Sequence, residues 1–124
     1  MSYKANQEKL EINSTGNLTV SKLIAGTSGS TDINLQVHGQ INASNDITAF
    51  SDLTLKQDVQ TISNALAKVE ALTGVTYVKD GKKSVGLIAQ NVESVIPEAV
   101  NKNGEYLAVA YGNLVGVLIQ AVKN

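Results

Sequence analysis

The chain has 124 residues, 43% of them hydrophobic and 17% charged, with a net charge of −1; these are ordinary values for one globular domain or two small ones. The near-neutral balance gives no field to steer it to nucleic acid or an anionic membrane. All ten basic residues are lysines and cysteine is absent, which excludes a guanidinium fork for phosphate, disulfides, thiol catalysis and thiolate metal sites.

Met1-Ser2-Tyr3-Lys4 lacks the apolar core of a signal peptide. No run approaches the roughly twenty apolar residues of a membrane span. Aromatic residues make up only 4%. A core of Leu, Ile, Val and Ala with few rings is thin for a monomer, so subunits are expected to share their burial.

Residues 1–50 read as short strands and turns. Leu10/Ile12, Leu18/Val20, Ile33/Leu35/Val37 and Ile41 alternate with polar neighbours. Ser14-Thr15-Gly16-Asn17, Gly26 to Ser30, His38-Gly39 and Asn42 to Asp46 carry turn chemistry. Each strand offers only two or three large apolar residues, too few to close a sandwich in one copy. Three copies wound about a common axis, as a triple β-helix or β-prism, share one core and hide their strand edges. A monomeric sandwich is the simpler alternative.

Residues 53–73 carry a helical seam. Leu55, Val59, Ile62, Leu66 and Val69 recur at steps of four, three, four and three, the spacing of a short coiled coil. Thr54 with Gln57 fits a capping box, Asp52 is a second candidate cap, and Gly74 stands where the helix would stop. Val75–Val78 reads as a strand, Asp80-Gly81 as a hairpin turn, and Ser84–Ile88 as the returning strand. Ala89–Ile96 reads as a helix ended by Pro97. Asn103-Gly104 marks a turn, Tyr106–Val109 a strand, and Tyr111–Val122 a helix with Tyr111, Leu114, Leu118 and Val122 on one face. The fold class is therefore α+β: an all-β stem over 1–50, then an α+β domain over 51–124 with a helical trimer seam.

Chemistry concentrates at the junction. Ser51 stands where strand-like sequence turns helix-like, and Lys56 follows one turn later. A hydroxyl and an amine are the minimum set for serine–lysine acyl chemistry. A lysine is a poor base at neutral pH unless desolvation or nearby positive potential favours its neutral form; free N–H groups of a helix start supply some of that potential, and could stabilise an oxyanion. Asp52 has three readings: pairing with Lys56, capping the helix, or orienting the lysine. On a regular helix five residues turn through about 500°, leaving Ser51 and Lys56 roughly 140° apart. Ser51 must then precede the helix with the chain bending back, or the lysine must come from a neighbouring subunit. Read alone, Ser51 is an ordinary cap and Lys56 a surface lysine. His38 reads as a turn residue and Lys79, Lys82 and Lys83 as a solvated hairpin tip. Tyr106 and Tyr111 read as packing residues with a polar end at the surface. Glu93, Glu98 and Glu105 are scattered, so neither metal nor cofactor is expected.

In series, the motifs change that balance. Ser51-Asp52-Leu53-Thr54-Leu55-Lys56, Leu72-Thr73-Gly74-Val75-Thr76-Tyr77, Gly86 to Glu93 with Pro97-Glu98-Ala99-Val100, and Tyr111-Gly112-Asn113-Leu114 occur in order. Together they resemble the intramolecular chaperone domain of phage tailspikes and tail fibres, of the endosialidase tailspike type, from Ser51 to Asn124. Leu35 to Ile41 and Ile47 to Phe50 resemble the fibre stem that precedes it. Two positions depart from the family pattern: Thr54 stands where arginine is common, and Ala110 where an acid precedes the tyrosine.

The resemblance implies a homotrimeric chaperone whose client is its own fibre stem, cutting itself between Phe50 and Ser51. Ser51 would be the nucleophile, Lys56 the general base and Asp52 a supporting residue. It implies a place in the virion tail fibre or tailspike, with the chaperone made in the host cytoplasm and released after cleavage. No nucleic acid or membrane insertion is implied. The alternative is an uncleaved trimerisation tip with a host-receptor contact.

Overall fold

The computed structural model describes residues 18–26 and 35–124. The chain divides into two units, Met1–Ser30 and Thr31–Asn124. In the described part of the first, 18–26 forms neither helix nor strand, and Leu18, Val20, Leu23 and Ile24 are exposed.

The second unit begins with a similar stretch. Residues 35–50 form no helix or strand, and Leu35, Val37, Ile41, Ile47 and Phe50 face solvent. Among the described residues the strands expected at Leu18/Val20, Leu35/Val37 and Ile41 are thus not formed; those at Leu10/Ile12 and Ile33 lie outside the described residues. A strand needs a neighbour to receive its backbone hydrogen bonds, and the described residues of one copy provide none there.

From Leu53 onward the chain folds around a small core. A 3-10 turn spans Leu53–Leu55, α1 spans Ala65–Ala71, β1 Val75–Lys79, β2 Lys82–Gly86 and α2 Ala89–Val95. A second 3-10 turn at Pro97–Ala99 leads into β3, Val100–Asn101. β4 (Ala108–Val109), a third 3-10 turn (Tyr111–Asn113) and α3 (Leu114–Lys123) follow. β1 pairs antiparallel with β2, and β3 with β4.

The helix expected over 53–73 is real only for its last third. Asp52 accepts the Thr54 backbone N–H and closes a tight turn instead of a helix, the local competition with helix that short polar side chains offer. Lys56 is then extended, at φ −122° and ψ 149°, and Asp58 and Asn64 take positive φ. Each interrupts the 4-3-4-3 seam. Leu55 and Val59 stay exposed, while Ile62 and Val69 turn onto the core. The capping box of Thr54 and Gln57 is replaced by the Asp52 cap, and α1 ends at an extended Leu72 rather than at Gly74.

The hairpin is where expected. Lys79 faces Lys82 across Asp80 and Gly81, both at positive φ, as a two-residue type I′ connection requires. Pro97 follows α2 directly and sits at the start of its own 3-10 turn, the position where a missing N–H costs nothing.

The core is Ala65, Val92, Ile96, Ala99, Leu114, Val117 and Ala121, flanked by Ile62, Val69, Leu72, Leu87, Val95, Val100 and Val109. α1 packs chiefly on α3, and the fully buried Ala65 lets the two helices approach. Val92 is the largest side chain fully buried, a burial that stabilises by roughly 1.5–3 kcal/mol. The face of α3 turned inward is Leu114, Val117 and Ala121, not Leu114, Leu118 and Val122. Four more aliphatics lie outside: Val115, Leu118, Ile119 and Val122 form a solvent-facing stripe, with Val122 86% exposed.

Candidate functional site: a serine–lysine contact at the start of the folded domain

The turn at Leu53–Leu55 brings together two side chains five residues apart. Leu55 N–H donates to the Asp52 carbonyl at 3.0 Å and Lys56 N–H to the Leu53 carbonyl at 3.0 Å. The chain bends back over these bonds, and Lys56 Nζ donates to Ser51 Oγ at 2.7 Å. Ser51 precedes the turn with the chain bending back, one of the two arrangements the spacing allows, and within the single chain Lys56 reaches it.

Asp52 does not take the lysine. Its Oδ1 accepts the Thr54 N–H at 2.8 Å and the Thr54 hydroxyl at 2.7 Å. The hydroxyl bond first, and the backbone bond second, hold the Asp52 carboxyl below its ordinary value, because both favour the charged form. Phe50, on the other side of the peptide bond to Ser51, is 97% exposed. Ser51 and Lys56 are exposed too, so water reaches the whole contact.

The other residues singled out from the sequence lie apart from chemistry. His38 is exposed outside any helix or strand, and Lys79, Lys82 and Lys83 are exposed on the hairpin. Glu93 pairs with Lys102. Among the described residues no three His, Cys, Asp or Glu side chains stand together as a metal site, and no helix is long and apolar enough to cross a membrane. Tyr106 is 79% exposed, contrary to a packing role. Tyr111 does pack: its hydroxyl accepts the Leu87 N–H at 3.0 Å and lies 3.3 Å from the Leu87 carbonyl. These two, with Tyr77, Lys79, Leu87 and Gln90, line an open cleft of about 400 Å³.

One feature escaped sequence reasoning, and a second was foreseen only as a cap at Asp52. The Asn91 side chain clamps the end of α1 to α2, accepting the Thr73 N–H at 3.0 Å and donating to the Ala71 carbonyl at 3.2 Å. Nothing local announces a bond across 18 or 20 residues. The Asp52–Thr54 bonds did have a signal, since Asp followed two residues later by a hydroxyl is an Asx-turn pattern.

Residues 51–101 match the family described as chaperone of endosialidase, which is classed among the peptidases. The segment is similar to this family. The match begins at Ser51, the first residue of the serine–lysine contact. Beyond it, the chain is 37% identical over 101 residues to the long tail fibre protein Gp37 of Enterobacteria phage K3, and equally to that of Enterobacteria phage T2. Each alignment covers 72% of this chain and 8% of the relative. Gp37 of Escherichia phage AR1 is 30% identical over 91 residues, covering 63% of the chain and 8% of its own length. The chain thus spans about a twelfth of the length of the curated relatives it matches. Among the motifs that carried the resemblance, those from Ser51 to Val100 fall inside the family match.

Proposed function

We propose that residues 51–124 are an intramolecular chaperone that drives trimerisation and folding of a phage tail fibre or tailspike, then release themselves by cutting the chain between Phe50 and Ser51. The observation that carries this reading is the 2.7 Å Lys56–Ser51 contact at the first residue of the family match. The tail-fibre relatives support a fibre as the client, proposed to be a stem over residues 1–50, and the virion as its location. The chaperone part is made in the host cytoplasm.

In the reactive form, neutral Lys56 accepts the Ser51 hydroxyl proton across the same contact. Oγ attacks the Phe50 carbonyl carbon, which covalent connectivity holds nearby, so no binding entropy is spent. The tetrahedral intermediate collapses as the carbon–nitrogen bond breaks, and Lys56 returns the proton to the departing Ser51 nitrogen. The product is an ester between Phe50 and Ser51 Oγ. Water hydrolyses it, leaving Phe50 with a carboxylate and Ser51 with a free amine and hydroxyl. Asp52 supports the turn that closes the dyad.

The trimer reading rests on apolar residues one chain leaves uncovered. Val115, Leu118, Ile119 and Val122 recur at helical spacing on the outer face of α3, and Phe50, Leu53, Leu55 and Val59 are exposed around the dyad. Three copies that cover these residues would also desolvate the dyad, which makes cutting conditional on assembly.

A second reading, an uncleaved trimerisation tip that touches a host receptor, draws on the open cleft of Tyr77, Tyr106 and Tyr111. A denaturing gel of freshly expressed protein separates the two. Two fragments, one beginning at Ser51, support the self-cleaving chaperone; a single band identical to that of Ser51→Ala supports the tip.

A further inference from the structure

We propose that Thr54 is a positioning residue for self-cleavage: its hydroxyl pins the Asp52 carboxylate and thereby holds the turn that presents Lys56 to Ser51. This rests on the cleavage reading above, and assigns within it a role to a residue that touches neither the scissile bond nor the dyad.

The dyad is a conformational achievement. Fully extended, five residues span roughly 17 Å, and on a regular helix the two side chains diverge. The 2.7 Å contact exists because the backbone closes two successive bonds, Leu55 N–H to Asp52 and Lys56 N–H to Leu53, before Lys56 becomes extended. No buried residue lies in the turn, so core packing does not impose its shape. What holds it is local: the two backbone bonds and the pair of Thr54 donors on Asp52 Oδ1, at 2.8 Å from nitrogen and 2.7 Å from the hydroxyl.

The hydroxyl bond has a second consequence. Asp52 is four residues before Lys56, the spacing at which an acid and a lysine pair readily. Such a pair would draw the ammonium from Ser51 and favour its charged form, the wrong state for a base. With Oδ1 committed to both Thr54 donors, the carboxylate is turned to Thr54 and Lys56 is left to the serine. Thr54 thus does two things through one carboxylate: it stiffens the turn and it keeps the neighbouring acid off the base.

The full chain carrying Thr54→Val tests this, because valine keeps the shape and the backbone N–H but loses the hydroxyl donor. A hydrogen bond to a charged group is strong enough that cleavage should slow about tenfold or more. Thr54→Ser, which restores the hydroxyl, should cleave within about threefold of wild type. Since Thr54 acts through Asp52, the double variant Asp52→Asn with Thr54→Val should be no slower than the slower single variant. Native mass and circular dichroism of each variant should be unchanged, since the turn lies outside the core. Cleavage of Thr54→Val at the wild-type rate, equal slowing in valine and serine variants, or multiplicative slowing in the double variant would overturn the assignment. Wild type that remains uncut overturns the cleavage reading itself, and this assignment with it.

Discussion

Lys56 Nζ reaches Ser51 Oγ at 2.7 Å within a single chain, across a turn that contains no buried residue. On the proposed reading, six consecutive residues would hold the reacting groups, while the conditions for cutting would be set elsewhere. Exposure of Phe50, Ser51 and Lys56 leaves water free at the site, and the proposed trimer would be what excludes it.

Removing either member of the dyad should stop or cripple cutting. Ser51→Ala should leave one uncut polypeptide whose native mass matches a trimer. Lys56→Ala should slow cutting by roughly 10²–10⁴-fold, the usual contribution of a positioned base. Lys56→Arg should not rescue it, because a guanidinium does not give up its proton. Time courses on denaturing gels read all three, and normal cutting in Lys56→Ala would remove the lysine from the mechanism.

The Asp52 carboxyl should titrate below its ordinary value of 3.8, since the Thr54 hydroxyl and N–H both favour the charged form. A depressed value means the stabilisation is fully present above the unfolded value and fades as pH falls through the folded one. The turn should therefore be intact at pH 5 to 7 and loosen only in stronger acid. Carbon-detected NMR titration of the carboxyl should show the midpoint rise toward 3.8 in Thr54→Val.

Gly86 makes room for the Tyr111 hydroxyl, which a Cβ at that position would approach to 2.7 Å. Gly86→Ala should push the ring away from Leu87 and lose its hydrogen bonds, at a cost of about 1–2 kcal/mol in thermal or denaturant unfolding. In a Tyr111→Phe background the same substitution should cost distinctly less, because the obstructing oxygen is gone. Equal costs in both backgrounds would show that Tyr111 is not what Gly86 accommodates.

The outer stripe of α3 should matter for assembly and little for the fold of one chain. Leu118 is 51% exposed and Ile119 58%, so Leu118→Lys with Ile119→Lys should keep the helical signal yet abolish the trimer in native mass spectra. By contrast Val92→Ala, which removes two methyl groups from the fully buried position, should cost roughly 2 kcal/mol in the fold itself.

Much of the domain was legible where a local rule decides alone. Asp80-Gly81 specifies the hairpin because both positions take positive φ, and Pro97 closes α2 because it cannot continue it. The spacing sets Leu114, Leu118 and Val122 on one face, but α3 turns Leu114, Val117 and Ala121 to the core and Val115, Leu118, Ile119 and Val122 out. Counting large apolar residues finds an amphipathic face, not which partner it serves. The helix over 53–73 failed for a related reason: the seam periodicity is present, but Asp52–Thr54 bonding and positive φ at Asp58 and Asn64 break the backbone that would display it. The Ser51–Lys56 contact was legible as one of two possibilities, a chain bending back before the helix or a lysine from a neighbouring subunit, and the single chain shows the first. The Asn91 clamp was not legible at all, because its bonds span the fold.

The most direct measurement is the mass of the freshly expressed wild-type chain, taken once under native and once under denaturing conditions. Trimeric masses under native conditions, for the whole chain or for its separated parts, with two pieces under denaturing conditions, one of them beginning at Ser51, are the expected result. A monomer that denatures as one intact polypeptide would contradict the account.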